Sequence, residues 1–238
     1  LRASQLRALR RLGVFRGRFD VAAAEAVCGG ETELEPALDR FVALGLLHTH
    51  REPSATRYSM PGIVAAYLEQ VYPDPAGQAE AEAAHLRHYA DACRDPRFLD
   101  TDLLARVDAS YADYLQALKT GMADAEGGRP VAAAPDADAD LDAATYDLAI
   151  SLQLYWLWQM RSHVALPWLD RIAVRFAGSP VRLARADVLR AGFLRNLGRV
   201  EEAGRLSERA ALVLEQAGDQ EWAVTCYALL TGIADDRG

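Results

Sequence analysis

Cysteine is scarce in this chain of 238 residues: only Cys28, Cys93 and Cys226 are present, far apart and without a C-x-x-C pair. An odd, scattered set predicts neither a disulfide framework nor a cysteine zinc site, so we expect a reduced, cytoplasmic location. Apolar runs long enough to cross a membrane are also lacking, and no membrane contact is expected. Because the chain begins with Leu rather than Met, we expect it to be a piece of a longer protein.

Lysine occurs once, as Lys119, and no G-x-x-x-x-G-K-[ST] motif surrounds it. Without that motif the chain cannot build a Walker-type phosphate loop. The sequence also lacks G-x-S-x-G, H-E-x-x-H and any cysteine–histidine arrangement that points to hydrolysis. We therefore predict a chain that is not an enzyme, with no catalytic residue and no cofactor of its own, which neither hydrolyses nor tightly binds ATP.

Two histidine pairs are the remaining candidates for metal chemistry. His48 and His50 lie on one side of a predicted strand, and His85 and His88 are one helical turn apart. Neither pair has an acidic residue or a cysteine at a recurrent ligand spacing, so we predict no metal site. A helical metal-dependent hydrolase that uses these histidines ranks third among the functional hypotheses.

Alanine inflates the hydrophobic content of 51%, and alanine-rich apolar stretches without runs of Val and Ile favour helix over sheet. The length is enough for a sizeable core and for one or two domains. These features predict a mainly α fold. The net charge is −8, which makes the whole chain a poor ligand for nucleic acid by bulk electrostatics.

The order of elements in residues 1–72 predicts a winged helix, that is, three helices plus a small β-wing. The first helix ends near Leu12, and the second is N-capped by Asp20 and stops at Cys28. The remaining predicted elements are a third helix, two strands and a closing helix, at 32–44, 46–50, 57–60 and 63–71.

The segments that carry this pattern resemble one family. They are LGVFRGRFD, AAEAVCG, LDRFVALGLL and RYSM, at 12–20, 23–29, 38–47 and 57–60. The chain resembles the winged-helix domain that follows the nucleotide-binding module in STAND-type (NB-ARC) signal-transduction NTPases, especially bacterial antibiotic-regulatory and related transcriptional activators. The later helices resemble the helical repeats of those proteins.

The resemblance implies an upstream NTPase domain, missing from this chain, that binds ATP or ADP with Mg²⁺. In the family, a Met-His-Asp motif at the start of the closing helix brings its histidine to the bound ADP. The matching residues here are Met60, Pro61 and Gly62. Proline and glycine supply neither an imidazole nor a carboxylate, so this nucleotide-sensing motif is degenerate.

The third predicted helix separates two functional hypotheses. In a DNA-reading winged helix it would enter the major groove, yet 31–40 contains four acidic residues and one arginine, a charge that phosphate repels. We therefore expect a protein-contacting spacer with no direct DNA contact, in a regulatory segment that couples the NTPase to signal or partner recognition. The alternative is a free-standing DNA-binding winged-helix transcription factor with a helical effector domain. Residues 1–18 contain six arginines, which form either a phosphate-contacting surface or a solvated helix face.

The rest of the chain predicts antiparallel helix pairs. The helix-breaking segment PDPAG at 73–77 separates the predicted winged helix of 1–72 from a helical pair at 78–122. Residues 123–140 are low in complexity and predict a flexible linker. The two helices of the pair are predicted at 78–93 and 101–122.

Residues 141–238 predict a tetratricopeptide-like array of helical repeats. Leu169 and Leu206 occupy similar places in consecutive pairs, 37 residues apart, a spacing close to that of tetratricopeptide repeats. Stacked pairs form a groove, so we expect a protein or peptide partner to bind there. Arg185 and Arg195 are the candidate partner-binding residues, and an acidic or extended partner is expected; the alternative is that these arginines only solvate the array.

The helix predicted at 141–160 is apolar nearly all round and must be covered on most sides. Its two tryptophans, Trp156 and Trp158, are predicted to be core residues rather than a ligand cage.

Overall fold

The computed structural model describes residues 1–30, 33–52, 55–94, 101–123 and 135–237. These residues are mainly helical, with twelve α-helices and one two-stranded antiparallel sheet, which confirms the prediction of a mainly α fold. No helix among them is long and apolar enough to cross a membrane. The chain divides into two compact units, Leu1–Leu148 and Ala149–Gly238.

The first unit opens with three helices, a two-stranded hairpin and a fourth helix. Asp20 caps the second helix as predicted, because its carboxylate accepts the N–H of Ala23 at 2.9 Å. Residues 31 and 32, which were predicted to open the acidic third helix, lie outside the described residues. The bounds are α1 Ala3–Arg11, a 3-10 turn Leu12–Val14, α2 Val21–Cys28, α3 Leu34–Ala43, β1 His48–Arg51, β2 Thr56–Ser59 and α4 Gly62–Val71.

Phe19 joins these helices to the hairpin. Its backbone exchanges two hydrogen bonds with Tyr58, at 2.9 and 2.7 Å, and the two rings stack with their centroids 6.1 Å apart. Each Leu or Phe side chain that is fully buried contributes about 1.5–3 kcal/mol. The fully buried side chains of this part of the chain include Phe19, Leu9, Leu12, Leu38, Phe41 and Leu47.

Helix α5, Pro75–Cys93, packs against α1, α2 and the 3-10 turn. The predicted boundary at 73–77 therefore does not separate compact units, and the helical pair belongs with residues 1–72. The helix begins earlier than predicted because Asp74 caps it through the N–H of Gly77 at 3.0 Å. Pro75 fits the first helical position, because a backbone N–H there would have no hydrogen-bond partner within the helix.

The single helix predicted at 101–122 is two helices, α6 Thr101–Ala109 and α7 Tyr111–Met122. They meet at Ser110, whose φ of −124° and ψ of 20° leave the helical region. The hydroxyl of Ser110 accepts a hydrogen bond from Arg57 of β2 at 2.9 Å. A contact from far along the chain thus holds the break in place.

The predicted linker at 123–140 falls into two parts. Residues 124–134 lie outside the described residues. Residues 135–140 are not a linker but the first turns of α8, Pro135–Trp158. The boundary between the two compact units lies at 148, within α8, and not at 140 as predicted.

The second unit contains the last part of α8 and four further helices. α10 packs against α9 and α11, and α11 packs against α12. Turns of three or four residues link these helices, so consecutive helices run antiparallel. Small buried side chains between α10, α11 and α12, such as Ala184, Ala210 and Ala223, let these helices approach closely. The bounds are α9 Ser162–Arg175, α10 Pro180–Asn196, α11 Val200–Gln216 and α12 Gln220–Arg237.

Candidate functional site

The degenerate nucleotide-sensing motif lies at the start of α4. Pro61 is the N-cap residue, and its C=O accepts the N–H groups of Val64 and Ala65 at 2.9 and 3.2 Å. Met60 is half-buried, and Gly62 is exposed. None of the three motif side chains carries an imidazole or a carboxylate, so the motif offers a nucleotide only backbone groups.

An apolar groove of about 480 Å³ lies beside this motif, between α1 and α4. Ile63 is 79% exposed and Tyr67 is 55% exposed, whereas Leu68 of the same helix is buried. Large apolar side chains that cluster on a surface mark interaction sites. Sequence reasoning missed this surface, although apolar residues occur on every side of α4. The groove is lined by Leu1, Leu6, Leu9, Leu46, Ile63, Val64, Tyr67, Leu68 and Tyr72.

Helix α3 presents acidic side chains to solvent. Glu33, Glu35 and Asp39 are all exposed, against one exposed base, Arg40. Burial, and after it the carboxylates of Asp39 and Glu35, raise the pKa of Tyr58, which shows that the negative field of α3 reaches the hairpin. A surface of this sign repels the phosphates of nucleic acid.

Three of the six arginines in segment 1–18 form ion pairs with carboxylates of the first unit. Surface ion pairs contribute little to stability, but they reduce the positive charge that phosphate would meet. Arg10 pairs with Asp74, Arg11 pairs with Glu80, Arg18 pairs with Glu52, and Arg16 donates to the C=O of Gly13.

A buried carboxylate, Asp113 of α7, holds the turn that follows the 3-10 turn. It is fully buried and accepts the N–H of Arg16 at 2.6 Å and the N–H of Gly17 at 3.1 Å. Nε2 of His85, which is also fully buried, lies 3.6 Å from Oδ1 of Asp113. A buried charge is stable only when donors offset its desolvation. Asp113 therefore ties the turn of residues 15–17 to α7.

His85, one of the histidines considered for metal binding, lies in an aromatic cluster. Its ring centroid is 4.7 Å from that of Tyr89 and 5.2 Å from that of Phe15. Tyr89 in turn contacts Tyr114 with centroids 4.7 Å apart. Burial, and next the carboxylate of Asp113, raise the pKa of Tyr89. Among the described residues, no group of three His, Cys, Asp or Glu side chains could hold a metal ion.

Arg185 and Arg195, the predicted partner-binding residues, are engaged within the second unit. Nε of Arg185 lies 2.7 Å from Oδ2 of Asp219, and its guanidinium is 5.8 Å from the ring centroid of Trp222. Nε of Arg195 lies 2.6 Å from Oδ2 of Asp236. This hydrogen bond raises the pKa of Arg195 and lowers that of Asp236. Both arginines thus connect α10 to α12 or to the turn before it, and partner binding through them stays a prediction.

The guanidinium of Arg195 lies against α12 at Gly232. A Cβ at position 232 would come within 2.6 Å of Nη1 and 2.8 Å of Cζ of Arg195, closer than such atoms pack. The glycine therefore leaves the space that the arginine occupies.

The two tryptophans of α8 have different environments. Trp156 is fully buried, as predicted for a core residue. Trp158 is 59% exposed, so the prediction that it is a core residue is wrong. Residues two apart point to opposite sides of a helix, and at the last residue of α8 the outer side faces solvent.

The three cysteines are free thiols, and all are buried. Burial raises the pKa of Cys93 to about 12 and that of Cys226 to about 11. Thiols with such values stay protonated and behave as small apolar side chains. Cys93 and Cys226 therefore contribute to packing.

Comparison with known proteins gave no match: no family model, no curated protein and no solved structure matches this chain. The function is therefore inferred from the chain's own residues and their geometry.

Proposed function

We propose that the chain is a regulatory and protein-interaction segment of a STAND-type transcriptional regulator. In this role it couples a nucleotide-binding module elsewhere in the protein to the recognition of a signal or partner. Three helices, a two-stranded hairpin and a closing helix occur in the order expected of a winged helix. The helices of the second unit, linked by short turns, are consistent with tetratricopeptide-like pairs.

The observation that carries the proposal is the exposed apolar face of α4. Ile63 and Tyr67 project from α4, which begins at Gly62, the last of the three residues that match the nucleotide-sensing motif. An NTPase domain that packed on this groove would cover these side chains. Covering apolar surface stabilises by about 25 cal/mol per Å², so burying these two side chains would contribute a few kcal/mol to docking. ATP or ADP, with Mg²⁺, would then be held by that domain.

The charge of α3 favours this role over DNA reading. Its exposed side chains are mostly acidic, and Arg10 and Arg11 of α1 have acidic partners within the first unit. A free-standing DNA-binding winged-helix factor needs a basic helix in the major groove. We therefore place the winged helix between protein modules rather than on DNA.

The proposal is tested with a photoreactive amino acid at position 63 of the intact protein in cells. Because Ile63 would face the NTPase domain, we expect cross-linked peptides from a segment that carries a Walker phosphate loop. The matched control places the same amino acid at Glu69, which is exposed on the same helix but does not line the groove. Equal cross-linking from positions 63 and 69 would contradict the proposal.

Two binding measurements on the chain itself separate the alternatives. Calorimetry with ADP and Mg²⁺ should detect no binding at micromolar concentrations, since no phosphate loop is present. A mobility shift with duplex DNA should show no binding at physiological salt. Nanomolar DNA affinity there would favour the free-standing transcription factor instead.

A further inference from the structure

A groove of about 430 Å³ lies between α10 and α11 in the second unit. Most of its lining residues belong to α11, and α10 contributes Arg190. Leu206 is buried in the groove, whereas Arg205 and Arg209 are exposed to solvent. We call it the arginine groove, and it is lined by Arg190, Glu202, Arg205, Leu206, Glu208 and Arg209.

Two charged residues of the arginine groove have partners within the chain. The guanidinium of Arg190 lies 2.6 Å from Oδ1 of Asp187 and 2.7 Å from Oδ1 of Asp170. Glu202 pairs with Arg199, whose Nη2 lies 2.6 Å from its Oε2. These side chains are held in place, and their charges are already offset.

Arg205 and Arg209 differ, because no carboxylate of the described residues pairs with either of them. They are four residues apart on α11, so their side chains lie on the same side of the helix, one turn apart. Like charges at this spacing repel each other. Glu208 is the one acidic residue of the groove that is also unpaired within this part of the chain. Unpaired arginines therefore outnumber unpaired acids, and the groove keeps a surplus of positive charge.

An exposed leucine continues the line of the two arginines. Leu212 is 60% exposed and lies three residues after Arg209. Positions 205, 209 and 212 follow the spacing of one helix face. Arginine is enriched at protein interfaces, where its planar guanidinium matches the geometry of a carboxylate. This side of α11 thus offers two guanidinium groups followed by an apolar side chain.

The acidic residues of the arginine groove favour a peptide over nucleic acid as its ligand. Glu202 and Glu208 line the groove, and the whole chain has a net charge of −8. Nucleic acid carries closely spaced phosphates, which these carboxylates repel. A peptide can place single carboxylates at the two arginines and neutral residues elsewhere. Two copies of the chain that met symmetrically through the groove would bring like charges together, so a different protein fits better.

We propose that the arginine groove binds an acidic peptide segment of a protein partner. Two carboxylates of the segment pair with Arg205 and Arg209, since a guanidinium can bind a carboxylate through two parallel hydrogen bonds. A neighbouring apolar residue of the segment covers Leu212. Arg185 and Arg195, by contrast, already pair with aspartates. The proposal goes beyond the link to an NTPase, because it uses neither α4 nor the groove beside it.

The test is an NMR titration of the full chain with a synthetic peptide of roughly 16 residues, long enough to form a helix. The peptide has two glutamates four residues apart and a leucine three residues after the second, in a background of alanine and glutamine. We expect a Kd below about 1 mM. The Nε–Hε signals of Arg205 and Arg209 should shift on binding, and those of Arg185 and Arg195 should not. A matched peptide with glutamine for both glutamates should bind about tenfold more weakly, the loss expected for two exposed ion pairs.

Variants of the chain separate the charges of the groove from its shape. Arg205→Gln combined with Arg209→Gln should weaken binding of the acidic peptide about tenfold and remove its preference over the glutamine peptide. Glu208→Gln should instead tighten binding about twofold, because it removes the carboxylate that offsets the arginines. Arg51→Gln, which changes an exposed arginine of the hairpin, is the matched control and should leave binding unchanged. All four positions are exposed, so each variant should keep the Tm of the unmodified chain.

Several results would overturn the proposal. Unshifted Nε–Hε signals of Arg205 and Arg209 at the highest peptide concentration are one, and equal binding of the two peptides is another. Duplex DNA that binds through these arginines, without binding of the peptide, would assign the groove to nucleic acid. A dimer that the double variant dissociates would assign it to a second copy. None of these results changes the expected cross-linking at position 63, so the two proposals fail independently.

Discussion

Replacing Asp113 with alanine should destabilise the first unit strongly. The change removes the acceptor for the N–H groups of Arg16 and Gly17, which lie 2.6 and 3.1 Å from the carboxylate. A buried donor left without a partner costs about 1–3 kcal/mol, so the two together cost roughly 2–6 kcal/mol. A domain is stable by about 5–15 kcal/mol. The loss is therefore a large part of the total.

Two measurements check this magnitude. Urea unfolding followed by circular dichroism gives the change in free energy, and hydrogen exchange reports the opening of the amides of Arg16 and Gly17 directly. Asp113→Asn keeps one acceptor oxygen and should lose roughly half as much. Asp39→Ala is the matched control, because Asp39 is exposed and surface substitutions usually change stability by less than about 0.5 kcal/mol.

An Asp113→Ala variant with an unchanged unfolding midpoint and unchanged hydrogen exchange at the amides of Arg16 and Gly17 would refute this prediction. Such a result would mean that water replaces the carboxylate at these amides. It would also mean that the turn of residues 15–17 does not depend on α7.

Two further predictions concern a buried tryptophan and a half-buried histidine. Trp156→Ala should cost about 3–5 kcal/mol, whereas Trp158→Ala, its control, should cost less than about 0.5 kcal/mol; equal shifts in Tm would contradict the buried position of Trp156. Burial lowers the pKa of His88, so the unfolded chain binds more protons there. The stabilising contribution is present above the ordinary value near 6.5 and is lost as pH falls below it. His88→Gln should therefore flatten the decline in Tm between about pH 7 and 5, and an equally steep decline in the variant would refute this.

Local signals explain the elements that were predicted correctly. Asp20 caps α2 as predicted, because a helix cap depends on neighbours within a few residues. The break at Ser110 was missed because Arg57, which donates to its hydroxyl, is 53 residues away. The periodicity of apolar residues along a helix carries no information about contacts with such distant parts of the chain.

The candidate sites were predictable only in part. The residues Met60, Pro61 and Gly62 could be placed at the start of a helix from the sequence, but the groove beside them also needs α1. Arg185 and Arg195 were singled out as polar residues of one helix, while their acidic partners lie 34 and 41 residues later. Exposure of the neighbouring apolar residues likewise depends on which side of each helix is covered.

The contact between Arg195 and Gly232 also limits how this chain can change during evolution. A larger residue at position 232 would force the guanidinium of Arg195 to move, and loss of Arg195 alone would remove its ion pair with Asp236. Replacing both residues together avoids this displacement. We therefore expect positions 195 and 232 to vary together, with a smaller residue replacing Arg195 before a larger residue replaces Gly232.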